Sequence, residues 1–426
     1  MRLRTVVILL SVSLIAAACG SRGGGTTSAT TTPGTTGGAT SGLTASDVGI
    51  TPTEIHVASV QDVGGPVPGL FESSKDAMQA FTAYINSQGG INGRKLVVDY
   101  SDAQISSTNF QIATQAACSG DFSMVGSYSI GDAGAVSPSQ QCGLPLVPAA
   151  TTAPQVIASP NVVSPLPVRP NVFNTGYFHW LAQTYPAAVK KAGLLYPNNP
   201  VTITAAQRTV GTSQSQGFNW LVDAEVGLIQ VDFSSYILQM KNSGVQLFSW
   251  VADNSAETRI LTQAQQQGWH PQVFDGSATG YSSTFLHTNG ALAEGTFISL
   301  PISLFEETNG DPMMATYLHW LNTVPGHVAP DIFGVSSWSA GLLFAKAMQM
   351  AGKNPTRPQL LRTLHSIKSW NGDGIQAQTD PGDGIGTHCF NVIKFQGDKF
   401  VRVHPLTPNT FDCTGHLYTV PGMAPS

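Results

Sequence analysis

The sequence predicts an α/β protein whose body holds two open sheets, each built from strand–helix units and covered by helices. Three observations carry this. Strand-like and helix-like segments alternate from Glu54 onward, turn residues punctuate them, and the alternation starts afresh near Ala192.

In the first half, Glu54–Val60 alternates polar and apolar residues before an apolar finish, which reads as a strand. Gly64, Gly65, Pro66 and Pro68 break the chain. Phe71, Met78, Phe81 and Ile85 then fall on one helical face, and Gly89-Gly90 ends that helix. Asn92-Gly93 is a turn, and Lys95–Tyr100 is the next strand. Ser106 or Ser107 can cap a helix running to about Cys118. Phe122–Gly126 reads as a buried strand, Ala133–Gln141 as a short helix and Pro145–Pro148 as a strand.

In the second half, Ala192–Leu195 and Val201–Thr204 read as strands, Tyr236–Ser243 as a helix and Val245–Val251 as a strand. Ala256–Gly268 is a helix and Val273-Phe274 a short strand. Met313–Met350 reads as helical, and Cys389–Phe395 and Phe400–Val403 are β-like. Parallel strands joined by right-handed helical crossovers give open sheets with both faces covered.

The N-terminus bears on location. Arg2 and Arg4 precede an apolar run from Val6 to Ala18, and Cys19 follows small residues. A basic start, a short apolar core and small residues before a cut describe an export signal over 1–18, too short to span a bilayer comfortably. The cysteine at the cut resembles the lipidation box of bacterial lipoproteins, although Ala16 stands where Leu is usual. That resemblance implies a lipid on Cys19 and a membrane attachment outside the cytoplasm. Residues 19–50, after Cys19 almost all Gly, Thr, Ser and Ala as far as Ser46, are expected to be a disordered linker, since they hold too little apolar surface to offset chain entropy.

Two of the 20 basic residues lie in the signal, leaving a net charge of about −7 against 25 acidic residues. No basic stripe appears, which argues against nucleic acid as a partner. The other four cysteines form two sequence-local pairs, Cys118 with Cys142 and Cys389 with Cys413, as expected of two disulfides in an oxidising compartment. Closing loops of about 25 residues would stabilise by roughly 3 kcal/mol each. A metal site would want CxxC spacing or clustered histidines, and the sequence has neither.

Four segments in this order carry a family resemblance: Gly89–Gln104 (GGINGRKLVVDYSDAQ), Pro148–Pro154 (PAATTAP), Asp232–Phe248 (DFSSYILQMKNSGVQLF) and Phe333–Gly352 (FGVSSWSAGLLFAKAMQMAG). They resemble the end of the first helix with the second strand, the turn after the fourth strand, a second-lobe helix and strand, and a late helix of the branched-chain amino-acid-binding (leucine/isoleucine/valine-binding) proteins. These are the type I periplasmic solute receptors of ABC importers. The resemblance implies two Rossmann-like lobes joined by three crossovers, near Asn174, Leu300 and Cys389. Lobe I would comprise 51–174 and 300–388, lobe II 175–299 and 389–412, with a tail over 413–426. It further implies a small-molecule ligand held between the lobes, importer permease subunits as partners, a monomer, no cofactor and no catalysis.

The same resemblance implies that first-lobe loops hold a ligand carboxylate or carbonyl through the hydroxyls of Ser127, Ser129, Thr151 and Thr152 and the N–H groups of Ala149, Ala150 and Thr151. Amides and hydroxyls at such loops suit an anion without a formal positive charge. In the second lobe the family offers acids to a ligand ammonium. The matching places here read Tyr177-Phe178-His179 and Ser277-Ala278-Thr279-Gly280, without an acid. A buried ammonium without a carboxylate is costly, so a free amino acid is not the expected ligand unless Asp253 or Asp275 serves from a shifted position. Phe71, Tyr128, Tyr177, Phe178, Trp250, Tyr281 and Trp338 supply aromatic surface, and Thr279 completes the expected site. The expected ligand is a carboxylate or amide with an apolar or aromatic body.

Two rival functions remain open from sequence. Ser337-Trp338-Ser339-Ala340-Gly341 has a serine where a nucleophile elbow has its first glycine, and it lies in a helical stretch, which speaks against a hydrolase. An extracellular ligand sensor of the same fold would act through a separate signalling partner.

Overall fold

The computed structural model describes residues 42–252 and 254–425; residues 1–41, with the expected signal, Cys19 and most of the expected linker, lie outside the described residues, as do Asp253 and Ser426. The first sheet is fully parallel, in the order β2 (Lys95–Asp102), β1 (Glu54–Gln61), β3 (Ser123–Val125), β4 (Leu146–Val147). Side chains alternate across β1. Ile55 and Val57 face the core shared with α1 (Glu72–Ser87), and Ala58 and Val60 face that shared with α2 (Ser107–Gly120). Met78, Phe81 and Ile85 of α1 are buried, as the helical spacing predicts, while Phe71 sits just ahead of the helix. Ser106 caps α2 by accepting from the Asn109 N–H. A short 3-10 turn runs into α3 (Val136–Cys142), and α4 (Pro154–Ile157) follows β4. Gly126, just after β3, has φ of 68°, and a Cβ there would lie 2.2 Å from the Met78 sulfur, so this close approach of loop and helix requires glycine.

The chain leaves this sheet through β5 (Val172–Asn174) and α5 (Gly176–Thr184) and enters a second sheet. Its order is β12 (Phe400–His404), β11 (Asn391–Phe395), β10 (Phe297–Leu300), β9 (Val273–Asp275), β8 (Leu247–Trp250), β6 (Ala192–Pro197), β7 (Trp220–Val226). Strands β6 to β10 are parallel and the last two run antiparallel at one edge. Helices α6 (Pro200–Ser215), α7 (Ser234–Asn242), α8 (Asn254–Gln266) and α9 (Ser283–Asn289) connect its strands. After Leu300 the chain returns to the first half as α10 (Pro312–Leu321), α11 (Ile332–Ala351) and α12 (Arg357–Ser366), and α11 packs against α1. It crosses a third time before Asn391 and closes with β13 (Leu417–Thr419), which pairs antiparallel with β5. None of these helices is long and apolar enough to cross a membrane.

Several expectations need correction. Val201–Thr204 is helix, not strand: Asn199 accepts from the N–H groups of Val201 and Thr202, and Pro200 occupies the first turn, so the cap overrides the β-branched run. β7 was not anticipated, although Val222 and Val226 are buried between exposed Leu221, Asp223 and Glu225. Met313–Met350 is two helices, split by a connection holding Pro325, Gly326 and Pro330. Residues 42–50, expected to be linker, are docked on the first half. The buried Arg94 donates to the carbonyls of Thr44, Thr51 and Lys353 and to the Asn354 side chain, and Asn354 donates to the Gly42 carbonyl. Residues 159–169 pack against the stretch that leads to the third crossing, where the Pro165 carbonyl accepts from Gln376 and Thr379.

Both sequence-local cysteine pairs form disulfides, Cys118–Cys142 and Cys389–Cys413. Among the described residues the cluster with metal-ligand chemistry is His388, Cys389 and Cys413, and both of its sulfurs are spent in the second disulfide.

Candidate functional site

In the first sheet, helices leave β1 and β3 toward opposite faces, and the crevice between their carboxyl ends is where open α/β sheets bind ligands. The loop after β1 brings Phe71 there and the loop after β3 brings Tyr128. Their rings stack with centroids 4.2 Å apart. Phe333, at the start of α11, meets both edge-on at 4.8 and 4.9 Å. The three rings form an aromatic wall; Phe71 is buried while Tyr128 and Phe333 are half-buried. The sequence signalled the first two. Phe333 went unassigned because nothing local links it to residues 71 and 128.

The hydroxyls expected to face a ligand are largely committed. Asp62 binds the loops together: its Oδ1 accepts from the Ile105 N–H (2.7 Å) and the Ser129 hydroxyl (2.9 Å), and its Oδ2 from the Ile130 N–H (2.8 Å). Burial raises the Asp62 pKa, and these hydrogen bonds oppose the rise. Ser127 Oγ accepts from the Val60 N–H, and the Ala149 N–H donates to the Ser127 carbonyl. Asp132 takes the Thr152 hydroxyl at 2.6 Å and the N–H groups of Thr152 and Ala153 at 2.7 and 3.1 Å. Burial pushes the Asp132 carboxyl up to about 6 against those bonds. The Ala150 N–H and the Thr151 N–H and hydroxyl meet no protein acceptor among the described residues. Thr151 lines a cavity of about 370 Å³ with Ser164, Arg169 and Asp383.

Asp331 caps α11 and lies behind the aromatic wall. Its Oδ1 accepts from the Ser73 hydroxyl at 2.7 Å and the Gly334 N–H at 2.9 Å, and burial pushes its carboxyl up to about 6.

In the second half, Tyr177 donates to Asp275 Oδ1 at 2.6 Å and Ser249 to Oδ2 at 2.7 Å. Burial raises the Asp275 carboxyl to about 6. Asp275 therefore fixes α5 to the sheet and has both oxygens occupied. Phe178 packs in a separate core with Phe173 and Phe218. Tyr281 is fully buried: it donates to Glu306 at 2.5 Å, accepts from the Phe305 N–H at 2.6 Å and stacks on Phe305 at 4.5 Å. Trp250 and Trp338 are likewise core residues. Thr279 is half-buried and donates to the Ala252 carbonyl at 3.2 Å. The structure thus brings Phe71 to Tyr128, Ser127 to Ala149 and Tyr177 to Asp275, and turns Phe178 and Tyr281 into core packing.

This two-half α/β architecture matches known proteins. The sequence profile described as "Periplasmic binding protein" fits residues 54–399. The chain belongs to the periplasmic binding protein family. It is 23% identical over 246 residues to Leu/Ile/Val-binding protein homolog 7 of Brucella melitensis, a match covering 54% of this chain and 60% of that protein. The chain thus spans about three fifths of the length of the curated relatives it matches. Among solved structures, a fatty acid ABC transporter substrate-binding protein from Thermomonospora curvata superposes with a TM-score of 0.71 at 18% identity, covering 87% of this chain and 99% of that one. The branched-chain amino acid transporter substrate-binding protein of Streptococcus pneumoniae, in complex with isoleucine, gives 0.67 at 16% identity, covering 82% and 100%. At these identities the likeness shows a shared fold, the two-lobed α/β architecture.

Proposed function

We propose that this family member is an extracytoplasmic solute receptor for an ABC importer, holding a carboxylate or amide with an apolar or aromatic body between its lobes. Lobe I takes 51–174 and 300–388, and lobe II takes 175–299 and 389–412. The observation that carries the ligand class is the disposition of acids. Asp62, Asp132 and Asp275 accept protein donors on both carboxylate oxygens and Asp331 accepts them on Oδ1, which leaves little carboxylate among these four for a ligand ammonium, while the crevice presents three aromatic rings. Apolar walls with few free polar groups select apolar bodies, and the donors of Ala150 and Thr151 suit a carboxylate or carbonyl oxygen. The names of the relatives span branched-chain amino acids and fatty acids, which share a carboxylate and an aliphatic body. The protein acts as a monomer, is exported by its N-terminal signal, is held to the membrane through Cys19, and binds its solute without turning it over.

The test is a thermal-shift panel of aliphatic acids, aromatic acids, their amides and free amino acids. A ligand at 100 times its Kd stabilises by about 2.7 kcal/mol, enough for a rise of a few degrees. Shifts with acids or amides and none with amino acids are expected. Shifts with amino acids alone overturn the ligand class.

A further inference from the structure

Three stretches of chain meet at one side of the hinge. The first crossing, β5 into α5, lies against the tail: Leu417, Tyr418 and Thr419 pair with Asn174, Phe173 and Val172. The Thr175 N–H donates to the His416 carbonyl at 2.9 Å, the His416 N–H returns to the Thr175 hydroxyl at 3.1 Å, and the Val420 N–H reaches the Asn171 carbonyl at 2.8 Å. The third crossing lies against the same tail a few residues earlier. Phe390 and Asp412 exchange both backbone hydrogen bonds, at 3.0 and 2.8 Å, and the Cys389–Cys413 disulfide seals that contact. The fit is close: a Cβ on Gly415 would lie 2.7 Å from the Gly176 Cα, and one on Gly176 would lie 2.5 Å from the Phe390 ring. Beyond β13 the tail runs over α6, where a Cβ on Gly211 would lie 2.2 Å from Val420. Its last residues border a groove of about 1010 Å³ whose walls also include Pro154 from the first half and Gln207 and Gln214 from α6.

We propose that the C-terminal strand, sealed by Cys389–Cys413, is a clasp that ties the first and third crossings together and limits how far the lobes open. Hinge closure requires the crossing segments to change backbone angles in concert. A strand hydrogen-bonded to one crossing and covalently fixed to another couples those changes. The clasp acts at the hinge and touches none of the aromatic wall. It rests on the reading of the protein as a receptor whose lobes close on a solute, but its first test needs no ligand.

The experiment compares the intact chain with the Cys389→Ser/Cys413→Ser double variant by small-angle scattering and amide hydrogen exchange, both without solute. Expected are a larger radius of gyration, a broader distance distribution and exchange faster by about tenfold at Thr175, Phe390 and Val420, with Val57–Val60 of the first sheet unchanged. Superposable scattering and unchanged exchange overturn the proposal. So does exchange quickened equally across both sheets, which marks plain loss of stability. If the double variant does not fold, Thr175→Val, which removes the hydroxyl's contacts with His416 of the tail and keeps the disulfide, must show the same selective exchange at residues 172–175 and 416–420, and its absence overturns the clasp. Affinity for an acid found by the thermal-shift panel is measured last. A panel with no hit alongside the expected scattering change defeats the receptor reading and leaves the clasp standing.

Discussion

Replacing Arg402 by Met tests how the segment after the second crossing is held. The Arg402 Nε and one terminal nitrogen each donate to a different oxygen of Glu307 at 2.6 Å, and the other terminal nitrogen donates to the Thr410 carbonyl at 2.9 Å. Glu307 also accepts from the Asn409 N–H at 2.8 Å. The two side chains are only 7% and 13% exposed, so the pair is a desolvated one. Removing one partner of such a pair leaves a buried charge behind and costs about 3–5 kcal/mol at neutral pH. Burial alone would raise the Glu307 pKa, but the Arg402 and Asn409 hydrogen bonds outweigh it and hold the pKa below its usual 4.5. A carboxyl lowered by folding stabilises above its unfolded pKa, and that stability is lost as pH falls through the folded value. In the variant the Asn409 N–H still lowers the carboxyl, but burial is no longer opposed by Arg402, so acid neutralises the unpaired charge and relieves the penalty. Urea unfolding of both proteins at pH 7 and pH 4 therefore reads a deficit of about 3–5 kcal/mol that shrinks to about half or less in acid. A deficit under about 1 kcal/mol, or one equal at both pH values, refutes the reasoning.

Three further outcomes are expected. Asp132, Asp275 and Asp331 have folded pKa values raised to about 6, so the folded state binds extra protons between their unfolded values near 3.8 and 6. Their contribution to stability grows as pH falls through that window, and Asp275→Asn, read by melting temperature against pH, flattens part of the trend. Phe333→Ala removes one side of the aromatic wall; it costs about 2 kcal/mol in stability and weakens binding of an apolar acid by about tenfold in titration calorimetry, while a binding loss absent at equal folding excludes the wall as a ligand surface. Arg94→Ala frees residues 42–50, costs about 3 kcal/mol or more, and exposes that segment to limited proteolysis, whereas unchanged cleavage shows the arm held by other contacts.

Much of the fold was legible because it rests on local patterns. β1 announces itself by alternation, β2 by the Asn92-Gly93 turn ahead of it, α1 by Met78, Phe81 and Ile85, and the disulfides by spacing. At Val201–Thr204 the β-branched residues suggest a strand while the Asn199-Pro200 start signal sets a helix, and β7 carries a period of two in Leu221–Val226. The site was less legible for a different reason. Whether Ser129 faces a ligand or Asp62 depends on a partner 67 positions away, and the fate of Tyr177 depends on Asp275, 98 positions away. Residue type gives the capacity to donate a proton. Only the assembled loops decide which acceptor takes it.

The arm pinned by Arg94 also fixes a direction. Its contacts, from the Asn354 side chain at Gly42 to the backbone beside Phe122 at Gly49, all belong to the half that carries β1–β4. On the receptor reading proposed above, a membrane leash joined ahead of Gly42 would pull on that half alone and leave the opposite half as the jaw that swings.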